Sequence, residues 1–228
     1  MSEEFKMQFE LLQPWSTFVM KTKLPPPILK KMIRITDEIV ADPAHEIDNP
    51  GAGQLKDQFL IRFEILEREE LMEFFLDVCR NYVIQAFCQA QPEYKEMILK
   101  DHWTTHLTSM WGNSQKDNEY FPVHVHSNCA LSASMYLKIP EYLPSRRNEI
   151  NYDGAVTFEN NTSQDHIWAS TPMMLQPKVG DFFIFPASQQ HQVYPFRTLD
   201  GKGERRSVSF NAGFKSPSCN DGGRIEKK

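Results

Sequence analysis

HVHSNCALSASMYLKIP, residues 124–140, is the stretch on which the fold turns. It opens on two histidines spaced i, i+2 and runs into a strand-like segment, residues 130–139. Residues two apart in a strand project from one face, so His124 and His126 can reach a single ion together. The next stretch outward is GDFFIFPASQQHQVYPF, residues 180–196. Gly180-Asp181 reads as a turn, residues 182–185 as a buried strand, and Pro186 as its end. His191 then starts another strand-like run at the mouth of a barrel. An H-x-H pair alone does not specify a metal. A third histidine delivered from a distant strand, after a turn and an apolar strand, supplies the missing ligand.

Three ligands on one face leave the opposite positions of an ion open. Iron(II) suits imidazole and uses those positions; zinc with three histidines and one open position is the alternative metal. His45, His102, His106 and His166 lack such surroundings. His106, on a strand with Thr104 and Thr108, is read as a supporting or structural residue.

The third informative stretch is RRSVSFN, residues 205–211. Arg205 and Ser207 share one face of a strand, and Arg206, Val208 and Phe210 share the other. A guanidinium is a planar fork that matches a carboxylate bidentately, and serine adds a hydroxyl donor. A dicarboxylate that chelates an ion with one end presents its other carboxylate deeper in the barrel. Arg205 and Ser207, one strand over from His191, are placed to meet it, with Tyr136 as a candidate third donor. Arg206 is the rival anchor. Alternation favours Arg205, because Val208 and Phe210 look like a packing face.

The rest of the chain surrounds this core. Pro25-Pro26-Pro27 opens a helix that carries Ile28, Leu29, Met32, Ile35, Ile39 and Val40 at helical spacing, since proline is tolerated in a first turn. It should stop near Asp42-Pro43, and residues 43–56 read as a loop. Residues 9–19 are strand-like, broken by Pro14. A second helix is expected over residues 67–87, with Glu67, Glu69 and Glu70 in the first turn where the helix dipole favours them. A short third helix covers residues 93–100. After Asp101 the period changes to two: Trp103, Leu107 and Trp111 alternate with Thr104, His106 and Thr108. Further strands are expected at 130–139, 155–158, 173–175, 182–185, 191–194 and 205–214. The expectation is a mainly β protein with N-terminal helices, a double-stranded β-helix or jelly roll buttressed by helices. It forms one domain over 1–228, with a helical support region (1–100), a jelly-roll core (101–215) and a polar tail (216–228).

Bulk properties bound the partners. At 228 residues with 16 phenylalanines, the chain can bury a sizeable core. A formal charge of −5 argues against a general nucleic-acid surface. Cys79, Cys88, Cys129 and Cys219 are scattered and the N-terminus MSEEFKMQFE is acidic, as in a reduced cytoplasmic protein. No apolar run reaches the roughly 18 residues needed to cross a bilayer. A homodimer through the helical face is compatible with the pattern.

Together HVHSNCALSASMYLKIP, GAVTFEN (154–160), GDFFIFPASQQHQVYPF and RRSVSFN resemble the 2-oxoglutarate/Fe(II) oxygenase superfamily. They are most similar to a branch found in bacteria and tailed phages. Its pattern is HxHxxSxLSGxYYLxxP, GxLxF, FPxxxxHxVxP and RxSxxFN. The resemblance runs from His124 to Asn211 and implies a jelly-roll core with Fe(II) at His124, His126 and His191. It also implies 2-oxoglutarate held by Arg205 and Ser207, O₂ as co-reactant, and hydroxylation of a small molecule or protein side chain with release of succinate and CO₂. A phage-encoded chain would act in the host cytoplasm. Asn211 matches the last motif residue and is read as making a structural hydrogen bond.

Two departures stand out. The superfamily usually places Asp or Glu where this chain has His126; if His126 is not a ligand, Asp117, Glu119 or water would fill its place. The branch's SGxYY is SASMY here (residues 132–136), losing the glycine and the first tyrosine. Trp103, Trp111, Phe121 and Trp168 would wall the site or form plain core. Loops 140–153, with Arg146 and Arg147, and 159–171 would cover its mouth. Two other readings fit the histidines: a cupin-type three-histidine enzyme without 2-oxoglutarate, for which Arg205 and Ser207 would have no use, and a non-enzymatic jelly roll.

Overall fold

In a computed structural model that describes residues 18–42, 54–144, 151–159 and 172–218, the change of period near residue 101 is a change of layer. The helices α1 (Pro26–Ala41), α2 (Phe63–Arg68), α3 (Met72–Ala90) and α4 (Lys95–Lys100) come first. The strands β1 (Met20–Lys23) and β2 (Gln58–Leu60) lie among them. The remaining strands follow: β3 (Thr104–Gln115), β4 (Phe121–His124), β5 (Leu131–Lys138), β6 (Val156–Phe158), β7 (Met173–Leu175), β8 (Asp181–Pro186), β9 (His191–Val193) and β10 (Arg205–Lys215). They form two antiparallel sheets, β1-β8-β5-β10-β3-β2 and β4-β9-β6-β7. This is the expected double-stranded β-helix, with the helices against one face of the larger sheet.

Local sequence explains most element ends. Prolines occupy the first turn of α1, and Asp42, which precedes Pro43, is extended as the residue before a proline prefers. The single helix expected over 67–87 is instead two. Glu70 adopts a left-handed φ of 57°, and Leu71 N donates to Leu66 O at 2.8 Å, a Schellman-type closure. Leu66 and Leu71, both fully buried, hold a non-glycine residue in that conformation.

The central strands alternate strictly. On β5, Ala133, Met135 and Leu137 enter the core beneath the helices, while Ser132, Ser134 and Tyr136 face the space between the sheets. On β10, Val208, Phe210 and Ala212 point to the helices, and Arg205, Ser207 and Ser209 point inward. The helix-side core is aromatic at its centre, where Phe75 of α3 meets Phe182 and Phe210 edge-on at 6.5 and 5.6 Å between centroids. Truncation of such a buried ring costs about 3–5 kcal/mol. Arg206, on the outward face of β10, bonds Asp37 of α1 and Glu204, tying helix to sheet.

One expectation of shared facing does not hold. Asn211 pairs with Ser109 but Ala212 with Leu107, so Thr108 is an extra residue in β3. Such a bulge reverses the faces that follow it. Leu107 and Met110 therefore share the helix-side core, and Trp111 turns into the space between the sheets. The strand-like residues 9–17, the loop 43–53, Trp168, His45, His166, Arg146, Arg147 and Cys219 lie outside the described residues.

Candidate metal and anion site

The smaller sheet sets two of the three histidines. β4 and β9 are neighbours, and His124 pairs directly with His191. His126 lies beyond the end of β4, so strand alternation does not aim it. Its backbone N donates to Ala187 O at 2.9 Å, which fastens it to the end of β8. The potential ligand atoms of the three residues all lie within 4.8 Å of one another. Ring centroids are 4.2 Å apart for His124 and His191, 5.2 Å for His126 and His191, and 5.3 Å for His124 and His126.

Backbone carbonyls fix two tautomers. His124 Nδ1 meets Pro122 O at 2.8 Å, and His191 Nδ1 meets Gln189 O at 2.9 Å. A carbonyl only accepts, so Nδ1 carries the proton and Nε2 presents a lone pair. His126 Nε2 is 3.3 Å from His191 Nε2, a spacing that calls for a cation or a proton between two imidazole nitrogens. Burial keeps the rings neutral: it is the main cause that lowers the pKa of His124, that of His126 to about 4 and that of His191 to about 3. Phe185 packs on His191 at 4.7 Å, and Trp111 lies 5.9 Å from His126. Neutral imidazoles with converging lone pairs in an aromatic pocket fit a divalent ion with open positions.

Arg205 is 1% exposed and belongs to the larger sheet, so it faces the histidines across the sandwich rather than lying one strand over from His191. Its Nη1 donates to Gln115 Oε1 at 2.7 Å, and its guanidinium carbon lies 4.8 Å from the Tyr136 ring centroid. Nε and Nη2 are buried without a partner. A buried charge with one side of its fork unfilled is costly, and a carboxylate fills that side bidentately. Ser207 Oγ accepts from Asn113 Nδ2 at 3.3 Å, and Asn113 Oδ1 in turn accepts from Gln58 Nε2 at 2.7 Å. With a lone pair so engaged, the Ser207 hydroxyl is free to donate into the pocket.

The same cavity is lined by His124, His126, His191, Tyr136, Arg205 and Ser207, so the six residues singled out in the sequence come together. Arg206 does not join them. Asp117 bonds Thr198 and Glu119 bonds the backbone of Lys56 and Lys116, so neither carboxylate stands in for His126. Trp111 and Phe121 line the cavity, whereas Trp103 packs with Phe87 and Phe214 in the helix-side core. His106 is exposed, with its ring against Gly213. The expected hydrogen bond of Asn211 is not made by Oδ1, which is buried without a partner. Both departures, at 133 and 135, pack into the helix-side core beneath β5, and Ala133 also borders the cavity. The amides Gln58, Asn113 and Gln115 were not singled out in the sequence. The alternation of Asn113 and Gln115 with Trp111 was a usable signal.

Residues 109–211 match the family model described as "Putative 2OG-Fe(II) oxygenase". No curated protein matches the chain. Among solved structures, a prolyl hydroxylase from Trichoplax adhaerens, in complex with a hypoxia inducible factor peptide, superposes with a TM-score of 0.53 at 9% identity, covering 86% of this chain and 83% of its own. It shows the shared fold. A 2OG-Fe(II) oxygenase family oxidoreductase from Burkholderia pseudomallei gives 0.49 at 13% identity, with 85% of each chain covered. HygX from Streptomyces hygroscopicus, with nickel and 2-oxoglutarate bound, gives 0.49 at 11%, covering 86% of this chain and 83% of its own. Over these residues the chain is similar to that family, and the match spans a little under half of the 228 residues.

Proposed function

We propose that this chain is a 2-oxoglutarate/Fe(II) oxygenase that holds Fe(II) at His124, His126 and His191, holds 2-oxoglutarate at Arg205, Ser207 and Tyr136, and hydroxylates a small molecule or protein side chain. The chemistry supplied at the bound centre is reduction of O₂ by four electrons, two from decarboxylation of 2-oxoglutarate to succinate and CO₂ and two from a substrate C–H bond. The observation that carries the reading is the unfilled Nε and Nη2 edge of buried Arg205 in the same cavity as three converging imidazoles.

Each residue has a physical task. The Arg205 fork takes the carboxylate remote from the metal, and Gln115 with the Tyr136 ring keeps that fork from rotating. Ser207 donates a further hydrogen bond, oriented by Asn113 and Gln58. Pro122 O and Gln189 O hold two imidazoles with Nε2 forward. Trp111, Phe158, Phe183 and Phe185 exclude water from the cavity. His126 makes the ligand set three neutral imidazoles.

Replacement of Arg205 by alanine tests the assignment. Affinity for 2-oxoglutarate should fall by roughly tenfold or more, the usual scale of a hydrogen-bonded charge contact, while affinity for Fe(II) is retained. Equal loss of both in a folded protein would count against it. Among the described residues no helix is long and apolar enough to cross a membrane.

A further inference from the structure

Among the residues that line the cavity, Arg205 and Ser132 carry buried polar atoms without a hydrogen-bond partner. Arg205 belongs to the anion end. Ser132 is 1% exposed and lies toward the other end of the same sheet face. The strand register sets the separation. Ser207 pairs with Tyr136 and Ser209 with Ser134, while Ser132 lies beyond them, level with Phe185 of β8. From Tyr136 to Ser132 is about 13 Å along the strand. The Phe185 ring packs on His191, with centroids 4.7 Å apart, and lies 6.5 Å from that of His126. Ser132 is therefore at the histidine end. A five-carbon acid held at Arg205 is shorter than that distance, and its inner end is taken up by the metal.

The surroundings of Ser132 limit what it can bind. A buried hydroxyl left unpaired is costly, so its partner comes with a ligand. Among the described residues that line the cavity, Arg205 is the only one with a permanent charge, and no carboxylate is among them. An ammonium brought to the histidine end would lie beside a divalent ion with no counter-charge. An anion would exchange its water for neutral hydroxyls, because Arg205 is committed at the far end. A serine hydroxyl both donates and accepts, so it suits a neutral hydroxyl or carboxamide. The walls formed by Trp111, Phe121 and Phe185 suit the hydrocarbon attached to such a group.

We propose that Ser132 is a binding residue for the molecule that is oxidised, and that this molecule presents an uncharged hydroxyl or carboxamide to it. The inference rests on the oxygenase reading and narrows its substrate: charged groups, such as the ammonium and carboxylate of a free amino acid, do not enter this end of the cavity.

The test uses the nickel-loaded full chain saturated with 2-oxoglutarate, with the zinc-loaded chain as diamagnetic control, and reads the proton relaxation of small probes by NMR. Propionamide and propanol carry the neutral groups; propionate and propylammonium are matched in length and charged. Nickel should relax the neutral probes and not the charged ones. N-acetylglutamine N-methylamide carries the same amide on a capped peptide unit. Stronger relaxation than free propionamide identifies a protein side chain as the source of the group, and weaker relaxation a free small molecule. Ser132→Ala should weaken binding of the neutral probes about threefold to tenfold, the loss of one neutral hydrogen bond. Calorimetric titration should give this variant the same 2-oxoglutarate affinity as the unaltered protein. Ser132→Cys, which keeps the shape with a weaker donor, should fall between the two in probe binding. Equal relaxation of the neutral probes, or none, in unaltered and Ser132→Ala protein would overturn the inference and leave the oxygenase reading intact, as would preference for a charged probe. Failure of the unaltered protein to bind 2-oxoglutarate would overturn both.

Discussion

At the residue scale, the choice between Arg205 and Arg206 was decided by parity alone. Val208 and Phe210 occupy the helix-facing side, so Arg206 had to share it; there it bonds Asp37 and Glu204, and Arg205 is left facing the cavity. What the sequence could not place was the sheet to which Arg205 belongs, because a strand's partners are not written in its own pattern. The geometry around Arg205 gives a further expectation. Arg205→Lys keeps the charge but loses the fork that bridges Gln115 and a carboxylate. Its 2-oxoglutarate affinity should fall between those of the unaltered protein and Arg205→Ala, measured by the same titration. Lysine performing as well as arginine would show that charge without the fork suffices.

At the element scale, strong alternation was readable and short or interrupted elements were not. β5, β8 and β10 have long buried faces and matched their expected positions within a residue or two. The extra residue at Thr108 in β3 gives no local signal, yet it turns Trp111 from the helix side to the cavity. β2 is three residues long and is held by its partner rather than by its own propensity: Phe59 pairs with Gly112, and the Phe59 ring fills the space a Cβ would take. Gly112→Val must expel that ring. Overpacking of this kind costs typically about 1–3 kcal/mol. The melting temperature should drop accordingly, and the loss of β2 should also weaken 2-oxoglutarate binding, because Gln58 of β2 orients Asn113 and through it Ser207. A stable Gly112→Val protein with unaltered binding would contradict this chain of support.

At the scale of the whole molecule, the sandwich brings one end of each sheet to a common cavity, and it does so by burying His191 and half-burying His124 and His126. That burial has a price in acid. An unfolded histidine titrates near 6.5, whereas burial holds His126 at about 4 and His191 at about 3. As pH falls below about 6.5 the unfolded chain takes up protons that the folded metal-free protein refuses, so stability is lost, at up to about 1.4 kcal/mol per pH unit for each such group. The carboxylates Asp37, Asp181 and Glu204 have lowered pKa values through their cationic and hydrogen-bonding partners despite opposing burial, and they add losses only nearer pH 4. Urea midpoints of the metal-free protein should therefore decline between pH 7 and pH 5, before the carboxylates titrate. A flat profile over that window would show that the histidines are not held neutral.

The most direct measurement is anaerobic titration of the purified, metal-free protein with Fe(II) and then 2-oxoglutarate, followed by visible absorption. The weak charge-transfer band of a keto acid chelated to iron should appear with one equivalent of each and should be absent with succinate. Iron binding without that band would contradict the cosubstrate assignment, and no iron binding would contradict the three-histidine centre itself.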